Sequence, residues 1–394
     1  MKCFLCSREG AVEFLHLGDQ PLANKYPRAK EEFETEDFFP LAVFFCSRCK
    51  NVQLGTIVSR SRMFEDYYYL SSVNPGLVRH FEEFANKIAK ARFVVDIGSN
   101  DGILLKPLKE RGVKTIGVDP SINVSKIAND AGLTTIVSFF DSAAVGKIKK
   151  QYESPDVVVA SSIFTHLEDP HQFIEDVKEL MADDGEFIIE VEYIGNILEN
   201  TQFERFYLDR VFYYSLTSLK HLLEAHGMYV ADVEKIEPHG GSIRVVTRKK
   251  GRGPAPADSV ARFVRKEEES LNLPKLDEFK RNVDAQISAF RHKLEEYKRS
   301  NLKVAGYGAP ARVATICNYG NIGPSLIEFI VDDSPLKQNR FSPGTHIPIV
   351  PKDYLEEHKP DVLVVFAYEY FDDIKEKTRG AYKYLLPIPP REIV

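Results

Sequence analysis

The 394-residue chain has no tryptophan, only five cysteines, and no apolar run near the roughly 18–20 residues of a membrane-spanning helix. It also lacks an excess of positive charge. Against 52 Lys and Arg stand 58 Asp and Glu, a net charge of −6 without clustering, which leaves a nucleic-acid polymer no electrostatic footprint. There are no internal repeats and no low-complexity tracts, so solenoid and disordered architectures are excluded. The opening MKCFLCSREG has no apolar signal-peptide core, and the expectation is a cytoplasmic protein without membrane attachment. What remains is an ordinary globular composition, 43% hydrophobic and 28% charged, long enough for two or three domains.

The few cysteines are not scattered. Four form two pairs, Cys3-x-x-Cys6 and Cys46-x-x-Cys49, and the fifth, Cys317, lies in an apolar stretch where a plain buried thiol is expected. Each CxxC turn brings two thiolates to one side of a knuckle. Two knuckles supply the four sulfurs that a closed, structural zinc site prefers. The 39-residue gap between the pairs requires a loop or small sheet, and LAVFFC and NVQLG read as short strands flanking the second pair. A redox-active CxxC is the competing reading.

After Pro75 the chain turns helical. From Phe93 to about Lys250, strand-like runs (FVVDIG, TIGVD, TTIVSFF, DVVVASSIF, EFIIEVEYI) alternate with helical ones, which implies a mostly parallel sheet covered on both faces. MYVADVEKIE and SIRVVTRK follow closely enough to be an antiparallel hairpin at the sheet edge. GRGPAPAD, residues 251–258, is a Gly/Pro linker. A charged helical stretch broken near Pro274 follows, with its charges on a solvated face, and then a second βα pattern through KVAGYGAPAR, LIEFIVDD, PDVLVVFAYEY and YKYLLPIP.

The first strand ends in Asp96-x-Gly98-x-Asn100-Asp101-Gly102. A dinucleotide turn would carry a second early glycine, and Asp101 would repel a pyrophosphate. An acid here suits an amino-bearing cofactor, and S-adenosylmethionine carries both a sulfonium and an α-amino group. Asp119, at the end of TIGVD, can accept both hydroxyls of a ribose, and Asp141, after SFF, fits a contact near adenine. Another nucleotide is the alternative. His166 follows the fourth strand at the ligand-facing edge, as a substrate contact or as a pocket wall. His239-Gly240-Gly241-Ser242 permits close approach of a sugar, with His239 and Arg244 as hydrogen-bonding groups, or is simply a tight turn. Gly306-Tyr307-Gly308-Ala-Pro-Ala311 is a G-x-G-x-x-A turn between a strand and a helix, the setting of a phosphate site.

The paired CxxC motifs, DIGSNDG, EYIGN, HGGSIRV, GYGAPAR and DDSPLKQNRFSPGTHIPIV together resemble the C-methyltransferases of deoxysugar biosynthesis, which act on nucleotide-linked 4-keto-6-deoxysugars. The resemblance spans essentially the whole chain. It implies an α/β protein of three parts: a zinc-binding domain over 1–70, a central Rossmann-like class I methyltransferase over 71–250, and a helical linker with a Rossmann-like nucleotide-sugar-binding domain over 251–394. It implies that Tyr67 and Tyr69 lie near the methyl donor, that His166 and Tyr207 are active-site residues, and that the ligand of the Gly306–Gly308 turn is the substrate's diphosphate or nucleoside, with Arg312, Lys337 and Arg340 as candidate phosphate partners. The family mechanism removes a proton from C3, next to the C4 ketone, and the resulting carbanion takes the methyl group. Where the family has Glu-His after the tyrosine, this chain has Asp209-Arg210. Asp209 can replace the Glu, but a guanidinium stays protonated and cannot serve as the base. Either another group is the base (His166, Tyr207 or His239), with Arg210 holding an enolate or carboxylate, or the methyl goes to oxygen or nitrogen, or the substrate is not the usual keto-sugar. A binding module with an inert core, and hydride transfer, are less favoured. A monomer or homodimer is expected.

Overall fold

The structure, a computed structural model, describes residues 1–59 and 70–393. The N-terminal region builds an antiparallel sheet from β1 (Val12–Pro21), β2 (Phe38–Cys46) and β3 (Asn51–Leu54). β2 and β3 are the two strands expected beside the second CxxC. β1 was not foreseen: its pairing with β2 slips twice, so the regular in–out alternation that marks a strand in sequence is broken.

The central sheet begins with β4 (Phe93–Ile97), β5 (Lys114–Asp119), β6 (Thr135–Val137), β7 (Val157–Ser161) and β8 (Glu186–Glu192), all parallel. The chain then sends out a two-residue strand, β9 (Phe212–Tyr213), which leaves this sheet and pairs with β3, Val52 opposite Tyr213. The expected hairpin returns as β10 (Met228–Ile236) and β11 (Ser242–Lys249), antiparallel, with β11 inserted between β8 and β10. The order β10-β11-β8-β7-β4-β5-β6 reverses direction at β4, and ligands of such sheets sit where that reversal opens a crevice at the strands' carboxyl ends.

The charged stretch forms two helices, Asp258–Ser270 and Leu273–Arg299, broken before Pro274 as expected. The second is 27 residues long and buries Leu276, Phe279, Val283, Ile287, Phe290, Leu294 and Tyr297, one stripe at spacings of three and four. That stripe packs against β1 on one side and the C-terminal sheet on the other. The C-terminal sheet runs from β12 (Val304–Tyr307) through β13 (Ile330–Val331), β14 (Arg340–Phe341), β15 (Pro348–Val350), β16 (Val362–Val365), β17 (Lys383–Pro387) and β18 (Pro390–Ile393), in the order β14-β15-β13-β12-β16-β17-β18. Its interior pairs are parallel and both edge pairs antiparallel. Phe14, Leu41 and Phe45 of the first sheet share one core with Ile316, Cys317 and Val364 of this one, and Cys317 is the buried thiol expected of it.

Cys3, Cys6, Cys46 and Cys49 converge, their sulfurs all within 4.8 Å of one another. The Cys3–Cys49 and Cys6–Cys46 distances are both 3.7 Å. A tetrahedral zinc with bonds of about 2.3 Å needs sulfurs about 3.8 Å apart, the spacing these two pairs already have, so the donor set fits the ion. Asn51 Nδ2 lies 3.7 Å from Cys3 Sγ, the outer-shell donor that such thiolates usually have. The site clamps the first ten residues onto the β2–β3 turn, and through β3 it steadies β9. Chelation or Cys46→Ser is therefore expected to release zinc and to expose residues 1–59 to proteolysis. Metal-free protein whose N-terminal amides stay fully protected from exchange would refute this role.

Candidate active site

The Asp96–Gly102 turn lies at the β4 reversal. Gly98 (φ 76°) and Gly102 (φ 86°) take left-handed conformations that glycine adopts freely, and a Cβ on either would stand 2.3 Å from Ile163 or Leu133. Asp119, at the end of β5, accepts the Asn100 amide at 3.0 Å and the Ser121 amide at 2.9 Å. The Ser121 side chain hydrogen-bonds it as well. Asp101 accepts the Ser72 amide and hydroxyl on Oδ2, while its buried Oδ1 has no partner among the described residues. An orphaned buried carboxylate oxygen favours a ligand that brings donors. Burial, then the neighbouring Asp119 and Glu190, pushes the Asp96 carboxyl well above its ordinary range, and burial raises Asp119 as well. Asp141 accepts the Ala144 amide at 2.9 Å and caps the helix Ser142–Gln151. Beside these acids stand two apolar side chains that sequence did not single out, Ile122 (76% exposed) and Phe139 (44%). Their mark is exposure, which no local pattern records. Tyr67 and Tyr69 lie outside the described residues.

At the end of β8, the carboxylate of Glu192 is buried between two arginines. Arg210 Nη1 bonds its Oε2, and Arg205 Nη1 is 3.7 Å from its Oε1. Burial pushes the Glu192 carboxyl up, but Arg210 and Arg205 outweigh it and hold it below the usual carboxylate range. The Arg210 guanidinium stacks over the Tyr207 ring at 4.6 Å, and burial holds the Tyr207 hydroxyl in its neutral form. His166 hydrogen-bonds the Asp209 carbonyl through Nδ1, and burial together with Arg210 lowers it to about 4. His239 sits in the turn between β10 and β11, close enough to be influenced by Glu192, Arg210 and Arg205. Four of the five expected catalytic residues thus surround one carboxylate that sequence did not mark. Asp209, the fifth, accepts from Asn24 of the N-terminal region at 2.7 Å.

Arg205 continues outward to Glu369 at 2.6 Å, and Glu369 also binds Arg312 at 2.7 Å. Tyr368, under the Arg312 guanidinium at 4.5 Å, donates its hydroxyl to Glu204. The central and C-terminal domains meet across these groups. In the C-terminal turn, Gly308 (φ 84°) approaches Ala367, and the Ala309 amide donates to Asp332 at 2.7 Å. Lys337 Nζ donates to the Ala309 carbonyl at 3.0 Å, and Tyr26 reaches the same oxygen at 2.8 Å. Gly306 lies within β12, the Tyr307 hydroxyl donates to Asp333, and Arg340 opens β14, half-buried. Asn24 and Tyr26, two residues apart, therefore join the Asp209 side of the cleft to the Gly308 turn. Arg244 is a correction. It stands two residues deeper in the sheet than Ser242, buried, with Nε on Glu190 at 2.7 Å, Nη1 on Glu234 at 2.6 Å and its guanidinium carbon 4.0 Å from the Phe84 ring centre. Two carboxylates and a ring occupy the guanidinium, so it supports the sheet from within and is not presented to a sugar.

Three family models match in tandem: a zinc-binding domain over residues 3–64, a methyltransferase domain over 69–233, and a C-methyltransferase C-terminal domain over 237–389. The C-methyltransferase NovU of Streptomyces niveus is 29% identical over 411 residues, covering all of this chain and 96% of that protein. A ubiquinone biosynthesis O-methyltransferase of Azorhizobium caulinodans is 28% identical over 126 residues, 30% of this chain and 49% of that one. Among solved structures, the CcbJ methyltransferase of Streptomyces caelestis aligns with 47% of this chain and all of its own at 13% identity, with a TM-score of 0.37, too loose to bear on the fold. With a donor-seeking acidic pocket at the sheet reversal and four sulfurs set for zinc, the chain is an S-adenosylmethionine-dependent methyltransferase with a zinc-binding N-terminal domain, homologous from end to end to a C-methyltransferase.

Proposed function

We propose that the protein methylates carbon on a nucleotide-linked 4-keto-6-deoxysugar, at C3, by way of an enolate. The observation that carries this reading is the convergence of Tyr207, Arg210, His166 and His239 on one buried carboxylate, at the face where the methyltransferase sheet meets the C-terminal domain. Fixed cations and a neutral hydroxyl beside a neutral imidazole are what enolisation of a ketone requires: donors for the oxygen, an acceptor for the proton. The full-length match to a C-methyltransferase supports the same chemistry.

Labour divides over three segments in this reading. Residues 1–70 hold zinc and brace the cleft. Residues 71–250 hold S-adenosylmethionine, which supplies an electrophilic methyl group. Asp96, Gly98, Asn100, Asp101 and Gly102 receive its amino-acid end, Asp119 its ribose, and Ile122 and Phe139 flank its adenine near Asp141. Residues 251–394 receive the nucleotide through the Gly306-Tyr307-Gly308 turn. Lys337, Arg312 and Arg340 are the cations at hand, and Lys337 and Arg312 exchange their present partners for phosphate oxygens. Arg210, permanently charged, leaves methylation of a sugar oxygen or nitrogen as the second reading, since those acceptors need no carbon acid.

Incubation with labelled S-adenosylmethionine and thymidine- or uridine-diphosphate 4-keto-6-deoxyhexoses should add one methyl, located on carbon by NMR. A methyl found only on oxygen or nitrogen establishes the second reading instead. Asp119→Ala should weaken cofactor binding by about 1–3 kcal/mol in calorimetry, the cost of unmade buried hydrogen bonds, and unchanged affinity would remove Asp119 from the site. The elevated carboxyls of Asp96 and Asp119 stabilise the ligand-free fold at low pH and lose that contribution as pH rises through their folded pKa values. A ligand ammonium favours the ionised form, so cofactor affinity should climb over the same pH window, and Asp96→Asn should flatten the climb. An affinity independent of pH in the parent protein would contradict the assignment of Asp96.

A further inference from the structure

Resting on the C-methylation reading, we propose that His239 is the group that takes the proton from the sugar carbon beside the ketone, while Arg210 and the Tyr207 hydroxyl hold the oxygen on which charge gathers. Arg210, the residue in line for the base, has no lone pair to offer.

His239 occupies a left-handed backbone conformation, φ 57° and ψ 32°, in the turn Pro238-His239-Gly240-Gly241. Side chains rarely tolerate that conformation, and where it persists the surroundings enforce it. Here the two glycines do so. A Cβ on Gly240 would lie 2.2 Å from Arg205 Nη2, and one on Gly241 would lie 1.6 Å from Asn196 Nδ2. The turn is thus pressed flat against the Arg205 guanidinium and the helix Ile194–Glu199. Register fixes the other side: Ser242, three residues on, pairs directly with Glu192. The imidazole lies within electrostatic reach of Glu192, is half-buried, and makes no hydrogen bond to any described residue.

The charged and titratable groups facing it are Glu192, Arg210, Arg205, Glu369 and His166. Burial and the two arginines keep the ring neutral, and Glu192 opposes them by favouring the protonated form. That combination suits a group that must be empty before the step and must hold a proton after it. His166 fits less well. Its Nδ1 is bound to the Asp209 carbonyl, and burial with Arg210 leaves it near 4, with little drive to take a proton from carbon. Tyr207, held neutral, is a donor.

In the step, the C3–H bond breaks and its proton passes to the lone pair of His239. The bonding electrons become the C3–C4 double bond of an enolate whose oxygen faces Arg210 and Tyr207. C3 then bonds the methyl carbon as the carbon–sulfur bond breaks and leaves a neutral thioether. His239 returns its proton to water at its exposed edge.

The test uses full-length holoenzyme and a thymidine-diphosphate 4-keto-6-deoxyhexose in deuterated water, with and without S-adenosylmethionine. His239→Asn is the chosen variant because asparagine also accepts left-handed backbone. Its melting temperature and cofactor affinity should match the parent's. Deuterium wash-in at C3 and methyl transfer should both fall by about 10²–10⁴-fold, the usual contribution of a positioned base, and the rising limb of the kcat/KM pH profile should disappear. Added imidazole should restore part of the exchange in a His239→Gly variant. If the parent exchanges and methylates while His239→Asn does so within threefold, His239 is not the acceptor, although C-methylation stands. If the parent neither exchanges nor methylates this substrate but methylates oxygen or nitrogen elsewhere, the C-methylation reading fails and takes the assignment with it.

Discussion

The cleft depends on one buried carboxylate. Glu192 is 5% exposed at the end of a central strand, a position where an unpaired charge would cost several kcal/mol. The protein meets that penalty with two arginines, and in doing so it fixes them. Arg210 is drawn down beside Tyr207, and Arg205 is drawn across to Glu369. Remove the carboxylate and two guanidiniums repel one another in a dry site. The charges are organised by mutual need, and their geometry is available before any ligand arrives, which is the condition for electrostatic catalysis without reorganisation.

No single domain could build that site. The N-terminal region contributes Asn24 to Asp209 and Tyr26 to the Ala309 carbonyl; the C-terminal domain contributes Glu369 to Arg205 and Tyr370, whose hydroxyl meets Asn74 ahead of the cofactor domain's first helix. β9 takes the segment immediately after Arg210 out of the methyltransferase sheet and pins it to β3, three and four residues along the chain from Cys49. The zinc is remote from the chemistry, yet its strand neighbours set where Arg210 begins. A structural ion and the candidate cleft are coupled here through two backbone pairs.

What was legible in sequence was local and periodic. The two CxxC pairs, the Asp96–Gly102 turn with Asp119 one βα unit later, the β10–β11 hairpin and the break before Pro274 all announce themselves within a few residues of one another. What was hidden was relational. β1 escaped because its bulges scramble the alternation. Glu192 looked like one more acid in EVEYIGN until Arg205 and Arg210 closed on it. Arg244 looked available because its neighbours in sequence, the glycines of the turn, face the cleft. Glu190, 54 positions earlier, decides otherwise. Ile122 and Phe139 stand out only once their exposure is known.

If position 210 is where the resembled family places its base, arginine there changes more than that residue's identity. A histidine there would be neutral before the step and charged after it, so the charge around the cleft would change during turnover. Arg210 is charged throughout, and Glu192 is the fixed counter-charge that makes this tolerable in a buried site. Under the proposed C-methylation, the proton would then leave for a group at the margin of this pair, near enough to feel Glu192 and wet enough to discharge. A half-buried residue on the rim would satisfy both, and the Pro238–Gly241 turn, flattened against Arg205 by its two glycines, carries one in His239. The glycines, the strained histidine, the paired acid and the arginine are thus a single arrangement, each intelligible only because the others are present.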